Sequence, residues 1–270
     1  MSSVKSATAP PKKSSSSEPS SRTSLSSVSN ALKMMNAFSN ETNELGITEL
    51  ARALNVAKST AHRIATTLVE DHYLEKNPAN DKYRLGLALF RLGVLVRRRM
   101  NVSYESRPML MELRSRTNET ILLAIPDEDQ ILYAFHLESS HAIRMRSDIG
   151  VRKPMVCTAE GQVLLAFMPE SERNLILQKP IKRRTAHTIT DANVLKTKLE
   201  TIRLQGYSLE DQESETGMRS IAAPIYNNER TVVASVALAG PVIRMKNELI
   251  PGLADQVIQT AMEISHRLGY

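Results

Sequence analysis

Between Gly46 and Leu68 the apolar positions repeat on a helical period twice, with a short break between the two runs. Leu50, Ala51 and Leu54 form one stripe; Ala61, Ile64, Ala65 and Leu68, at i, i+3, i+4 and i+7, form a second. The spacing predicts two short helices joined by a tight turn, each burying its stripe against the other. The second helix then turns Lys58, Ser59, Thr60, His62, Arg63 and Thr66 outward. Upstream, Val28, Ala31, Leu32, Met35 and Phe38 predict a supporting helix over Val28 to Phe38, with Ser24, Ser26 and Ser27 as candidate N-caps. Downstream, Tyr73 to Lys76 and Lys82 to Leu85 read as short strands around the turn-rich Asn77-Pro78-Ala79-Asn80-Asp81.

After this hairpin the pattern changes. Leu87 to Val96 is apolar nearly all round and ends in Arg97-Arg98-Arg99. Such a helix must be covered, and a second subunit is favoured over its own chain. A helix follows from Tyr104 to Arg116, then a hairpin of Thr120 to Pro126 and Gln130 to Leu137 split by Asp127-Glu128-Asp129. Further strands are expected at Ala142 to Ser147, Ser220 to Tyr226 and Thr231 to Ala239. Helices are expected at Thr158 to Phe167, Glu170 to Gln178, Asp191 to Gln205 and Ile250 to Leu268. Strands and helices mixed in this order make an α+β domain.

Composition changes this picture only in places. The 270 residues with 41% apolar content suffice for one or two cores. A formal charge of +6 and a pI near 9.4 suit an anionic partner but decide little, so the placement of the charges carries the argument. The single cysteine, Cys157, excludes an internal disulfide and fits a reducing compartment. Apolar runs such as Ile121 to Ile125 and Val163 to Met168 fall far short of the roughly 18 residues of a membrane helix. Residues 1–25 hold Lys5, Lys12, Lys13 and Arg22 against Glu18 amid many serines, without the apolar core of a secretion leader; they read as a disordered basic tail.

The outward set on the second helix has the chemistry for duplex DNA. Its hydroxyls and cations donate to phosphates, and Arg63 suits a guanine edge in the major groove. The hairpin would be a wing tracking the backbone through Lys76, Lys82 and Arg84. The plainer alternative is a helical hairpin with a solvated polar face. Catalysis finds no positive signal. Glu210, Asp211, Glu213 and Glu215 read as an exposed acidic loop rather than a metal or acid–base site, because no His or Cys stands nearby at ligand spacing. Cys157 reads as a small buried thiol, with His136, His141 and His187 as the remote candidates for a base. Met34, Met35, Met109 and Met111 read as core filler. No phosphate-cradling glycine loop, zinc-protease helix or Gly-x-Ser-x-Gly elbow is present, so no cofactor, metal or catalytic residue is expected.

Residues 26–270 resemble the IclR family of bacterial transcriptional regulators. The marks are Leu50-Ala51, Ser59-Thr60-Ala61-His62-Arg63 and Tyr83-Arg84-Leu85-Gly86 in the first module. The second carries Gly150, Pro154-Met155, Thr158-Ala159-Glu160-Gly161, Gly206-Tyr207, Glu213, Gly217 through Pro224, and Gly240-Pro241. The resemblance implies a winged helix-turn-helix over 26–86, a linker helix over 87–103 and a GAF-like effector-binding and oligomerisation domain over 104–270. That domain would be an antiparallel sheet flanked by helices. It further implies a cytoplasmic bacterial regulator, more often a repressor, of a catabolic operon. Its partners would be double-stranded operator DNA, a small organic acid or aromatic effector, and its own copies as a homodimer or dimer of dimers, with no membrane. An enzyme with an accessory DNA-binding domain and a nonspecific DNA-coating protein stay open as alternatives.

The positions matching the family's ligand contacts are Met145, Ala159, Glu160, Gly161, Glu210, Met218, Ser220, Ala237 and Ala239. Ser220 stands where members often carry Cys, Ala237 and Ala239 where some carry serines, and Lys153 replaces a customary apolar residue. Two missing hydroxyls leave a more apolar floor. An anionic ligand would meet Glu160 and Glu210, offset by Arg144, Arg146 or Lys153, unless those carboxylates accept from a hydroxylated compound.

Overall fold

The computed structural model describes residues 26–39, 42–99 and 101–270, except the side chains of 26, 97–99 and 101. The tail over 1–25, the Ser24 cap and the three arginine side chains of 97–99 lie outside the described residues. Contacts divide the chain into two units, 1–95 and 96–270.

The first unit runs α1 (Ser26–Met35), α2 (Ile47–Leu54), α3 (Lys58–Glu70), β1 (Leu74–Lys76), β2 (Tyr83–Leu85) and α4 (Leu87–Arg99), which crosses the boundary. Its core is Met34, Leu50, Ala51, Leu54, Ala61, Ala65, Leu68, Leu74 and Tyr83, with Ile64 packed at the edge. The predicted stripes of α2 and α3 are therefore the ones that face inward. Asn55, in the left-handed region at φ 54°, ends α2 by donating its N–H to the carbonyls of Ala51 and Arg52, and so makes the tight turn. β1 and β2 pair antiparallel, with Leu74 opposite Leu85 and Lys76 opposite Tyr83. A bridge from Leu45 to Tyr83 ties this hairpin to the chain before α2. Glu44 adds a polar tie, accepting from the amides of Asn77 at 2.9 Å and Asn80 at 2.7 Å.

Two expectations for this unit change. α1 ends at Met35, short of the expected Phe38; Ala31, Met34 and Met35 on it, and Phe38 beyond it, meet the core, while Val28 and Leu32 are 53% and 52% exposed, because their row turns away from α2 and α3. Ser26 and Ser27 lie inside the first turn instead of preceding it. Along α4, Ala88 is buried but Leu87, Phe90, Leu92 and Leu95 are exposed.

The second unit continues with α5 (Asn101–Glu105), α6 (Arg107–Thr117), β3 (Thr120–Asp127), β4 (Gln130–Leu137), β5 (Arg152–Pro154), α7 (Ala159–Phe167), α8 (Glu170–Leu177), α9 (Ala192–Gln205), β6 (Ser208–Asp211), β7 (Met218–Tyr226), β8 (Val232–Pro241) and α10 (Ile250–Arg267). The strands form one antiparallel sheet in the order β5-β4-β3-β8-β7-β6. Period-two alternation splits its side chains between two cores. Ile121, Leu123, Ile221, Val236 and Leu238 pack with α6 and α10; Leu122, Ala124, Tyr133, Ala222, Ala237 and Ala239 pack with α7 and α9. The α+β architecture is the one expected.

Ala142 to Ser147 is not a strand. Arg144 folds that segment onto itself, pairing with Glu138 at 2.8 Å and donating to the carbonyl of His141 at 3.2 Å. β5 and β6, of three and four residues, are too short to announce themselves by alternation. Met109 is core, but Met111 is 53% exposed on the outer side of α6.

Candidate functional site

Two regions carry chemistry, one on each unit. On α3, Lys58, Ser59, Thr60, His62, Arg63 and Thr66 are all exposed, opposite the buried Ala61, Ala65 and Leu68. Ala57 precedes the helix and offers no side-chain cap, so the first-turn N–H groups are left for water or an anion. Thr66 spends its hydroxyl proton on the carbonyl of His62 at 2.9 Å, which makes it a weaker outward donor than its exposure suggests. Lys58 and Arg63 carry no ion pair among the described residues.

The wing cations differ from one another. Lys76 pairs with Asp81 at 2.7 Å and Arg84 with Glu75 at 2.9 Å, while Lys82 is exposed and carries no ion pair among the described residues. A phosphate must compete with a carboxylate for the first two, so Lys82 is the freest backbone contact of the three.

In the second unit a cavity lies between the sheet and the start of α7. Tyr133, Met145, Thr158, Glu160, Glu210, Ser214, Glu215, Met218, Arg219 and Ser220 line it, and the free space of about 10 Å³ holds about one water molecule. Thr158 caps α7, its hydroxyl accepting the Gly161 N–H at 3.3 Å, and this places Glu160 in the first turn facing the sheet. β6 pairs with β7 so that Glu210 lies opposite Ser220, and the Ser220 hydroxyl donates to Glu210 Oε2 at 2.8 Å. Glu210 Oε1 accepts the backbone N–H groups of Glu213 and, at 2.9 Å, of Ser214.

Of the nine positions expected here, the fold brings Met145, Glu160, Glu210, Met218 and Ser220 to the cavity. Ala159, Ala237 and Ala239 are packed into the core beside it and do not line it. Gly161 serves the helix entry instead: a Cβ there would come within 2.2 Å of the Met155 Cα. Tyr133, Thr158, Ser214, Glu215 and Arg219 are additional. The i, i+2 relation to the buried Ile131 was the signal for Tyr133, and the capping position that for Thr158.

The acidic segment is not an exposed loop. Glu210 and Glu213 are buried, Asp211 pairs with Arg219 at 2.7 Å, and Glu215 is exposed. Glu213 is held by Lys198 and by the Gln162 amide at 2.8 Å, which marks it as a structural anchor. Among the described residues no group of His, Cys, Asp and Glu has a metal-holding arrangement.

Burial dominates the electrostatics. It pushes Glu160 up to about 7, opposed first by its own backbone N–H, helped by the neighbouring Glu210, and opposed further by the Tyr133 hydroxyl and Lys153. It pushes Glu210 up to about 7 as well, against the hydrogen bonds from Ser214, Ser220 and Glu213. Arg144 is committed to Glu138 and offsets neither carboxyl. Burial also raises the Cys157 thiol to about 11, where it is protonated and unreactive as a nucleophile.

Comparison with known proteins matches both units. Residues 27–78 match the IclR helix-turn-helix domain, and residues 94–266 match the bacterial transcriptional regulator IclR C-terminal domain. The HTH-type transcriptional regulator XynR of Escherichia coli K12 is 33% identical over 247 residues, covering 91% of this chain and 98% of its own. The crystal structure of the Thermotoga maritima IclR superposes with a TM-score of 0.75 at 29% identity, covering 92% of this chain and 100% of that one. An IclR homolog from Microbacterium hydrocarbonoxydans, solved in complex with 4-hydroxybenzoate, shares the fold with a TM-score of 0.82 at 23% identity, over 90% of this chain and 98% of that one. With two domain models matching in order and a regulator a third identical over nearly its whole length, the chain belongs to the IclR family of bacterial transcriptional regulators.

Proposed function

We propose that this regulator reads operator DNA with α3 in the major groove and releases or tightens that grip when a small organic effector enters the cavity of the second unit. The observation that carries the reading is the two-sided character of α3. Ala61, Ala65 and Leu68 lock one side into the core, and Lys58, Ser59, Thr60, His62, Arg63 and Thr66 stand in solvent on the other. A rigidly seated helix with free donors is what base reading needs. Lys82 would add a phosphate contact from the wing, with Lys76 and Arg84 behind it.

The chain acts as a dimer or dimer of dimers in this reading. Leu87, Phe90, Leu92 and Leu95 on α4, together with Val28 and Leu32 on α1, are the apolar side chains a second copy would cover. The cavity is too small for a metabolite as it stands, so effector entry requires the lining to move, and Met145 sits on the irregular stretch between β4 and β5. Only an effector with different affinity for the open and closed arrangements shifts the equilibrium. No catalytic role is assigned: Cys157 is buried and protonated, and Glu213 is tied into structure.

The test is sequence-selective retardation of the DNA upstream of the gene by the purified chain, in the presence of excess unrelated duplex. Selective binding that one metabolite alters supports the proposal. Equal affinity for all duplexes with a steep salt slope would assign a coating role instead.

A further inference from the structure

The two carboxyl groups of the cavity are wired unequally. Glu210 accepts three hydrogen bonds, two from backbone N–H groups and one from Ser220, which favour its anion against the burial that raises it. Glu160 accepts only from its own backbone N–H and the Tyr133 hydroxyl, and its Oε1 is fully buried without a partner. Two ionised carboxylates in one closed space repel each other, and a single proton on the less solvated one removes the conflict.

We propose that Glu160 is kept as the neutral acid, with its orphan Oε1 offering the proton to the cavity, and that the effector is a hydroxy acid. In this arrangement the effector carboxylate accepts from Glu160 and its hydroxyl donates to the remaining lone pair of Glu210 Oε2. The inference rests on the cavity being the effector site. A carboxylic acid donating to a carboxylate is among the stronger hydrogen bonds available in a protein. An ionised Glu160 would instead put three negative charges together. Where Glu160 is ionised, binding therefore takes one proton from water onto its carboxylate. The groups facing Glu160 are Tyr133 on β4, Lys153 on β5 and Glu210 on β6. Cys157 precedes α7, and Ser214 and Glu215 stand on the turn after β6. Lys153 and Arg219 are the cations among them, and Arg219, on β7, lines the cavity while paired with Asp211.

The test uses the full chain labelled with 13C at the glutamate carboxyls and titrated from acid to alkaline pH. Glu160 and Glu210 are the carboxyls expected to titrate near neutrality, and the Glu160 signal is expected to vanish in Glu160→Gln. A Glu160 that is already ionised at pH 6, or a Glu160→Gln variant that loses no near-neutral titration, overturns the assignment. Glycolate, lactate and glycerate are then scored by the rise in melting temperature at pH 6 and pH 8. With Glu160 near 7, the acid that binds does so about tenfold more weakly at pH 8 than at pH 6, and Glu160→Gln removes the difference. Equal binding at both pH values, or no stabilisation by any of the three, contradicts the proposal. Ser220→Phe, which fills the cavity, keeps the two readings apart. Binding that survives it places the effector elsewhere, whereas pH-independent binding that it abolishes leaves the effector site standing and removes only the proton.

Discussion

The α3 surface and the cavity of the second unit use polar groups in opposite ways. On α3 the donors are in water, almost none is committed to a neighbour, and Arg63 and Lys58 are free to meet a partner. In the cavity most polar groups are committed before any ligand arrives, and the buried exceptions are one oxygen of Glu160 and the Nε of Arg219. A surface that reads a long polyanion gains from many uncommitted donors, each individually weak. A chamber that recognises a small molecule gains from a few fixed groups whose charge states are set by burial. Substitutions should therefore act through stability and protonation in the second unit, and through affinity alone in the first.

The largest effect is expected where the cavity meets its scaffold. Gly161→Val places a Cβ against the Met155 backbone, and thermal unfolding of the chain should reveal a loss of about 3 kcal/mol or more. An unchanged melting temperature would mean that α7 can shift freely and that the chamber is not rigidly built.

The pH dependence of stability comes next. Glu160 is raised in the folded state from its ordinary 4.5 to about 7, so the fold binds a proton that the unfolded chain has released. The stabilisation is complete below about pH 4.5 and is lost as pH rises to about 7, a fall of about 3 kcal/mol from this one group. Denaturant melts at successive pH values should show the decline, and Glu160→Gln should remove the part due to Glu160 and leave that of Glu210, which burial also raises to about 7.

The first unit should answer differently. Arg63→Ala is expected to cost about 1–3 kcal/mol of operator affinity with no change in melting temperature, as read by titration of upstream DNA. Loss of stability together with affinity would place Arg63 in the core instead of on the surface. The smallest effect separates the wing cations. Lys82→Ala should lower the slope of log affinity against log salt by about one, and Lys76→Ala by less, since Asp81 already holds Lys76.

The first unit was legible because amphipathic periods are local. The stripes of α2 and α3 needed only i, i+3 and i+4, and even the tight turn at Asn55 follows from where they stop. The row of α1 was misjudged by one position, because Met34 and Met35 are both apolar and only the neighbouring helices decide which row faces inward. In the second unit the long strands were visible and the three- and four-residue strands were not. Glu160 and Glu210 were identified as neighbours of a ligand through the family resemblance, but their unequal wiring depends on the β6–β7 register and the fold of the turn after β6. The same nonlocal folding buried Glu213, which composition alone makes look like part of a solvated acidic run.

The most direct test of the account is photocrosslinking of the chain to upstream duplex carrying 5-bromouracil in place of thymine, whose reactive atom lies in the major groove. The crosslinked residues are then mapped by peptide sequencing. Attachment within residues 58–66 is the predicted result. Attachment confined to other segments, with residues 58–66 unmodified, would contradict it.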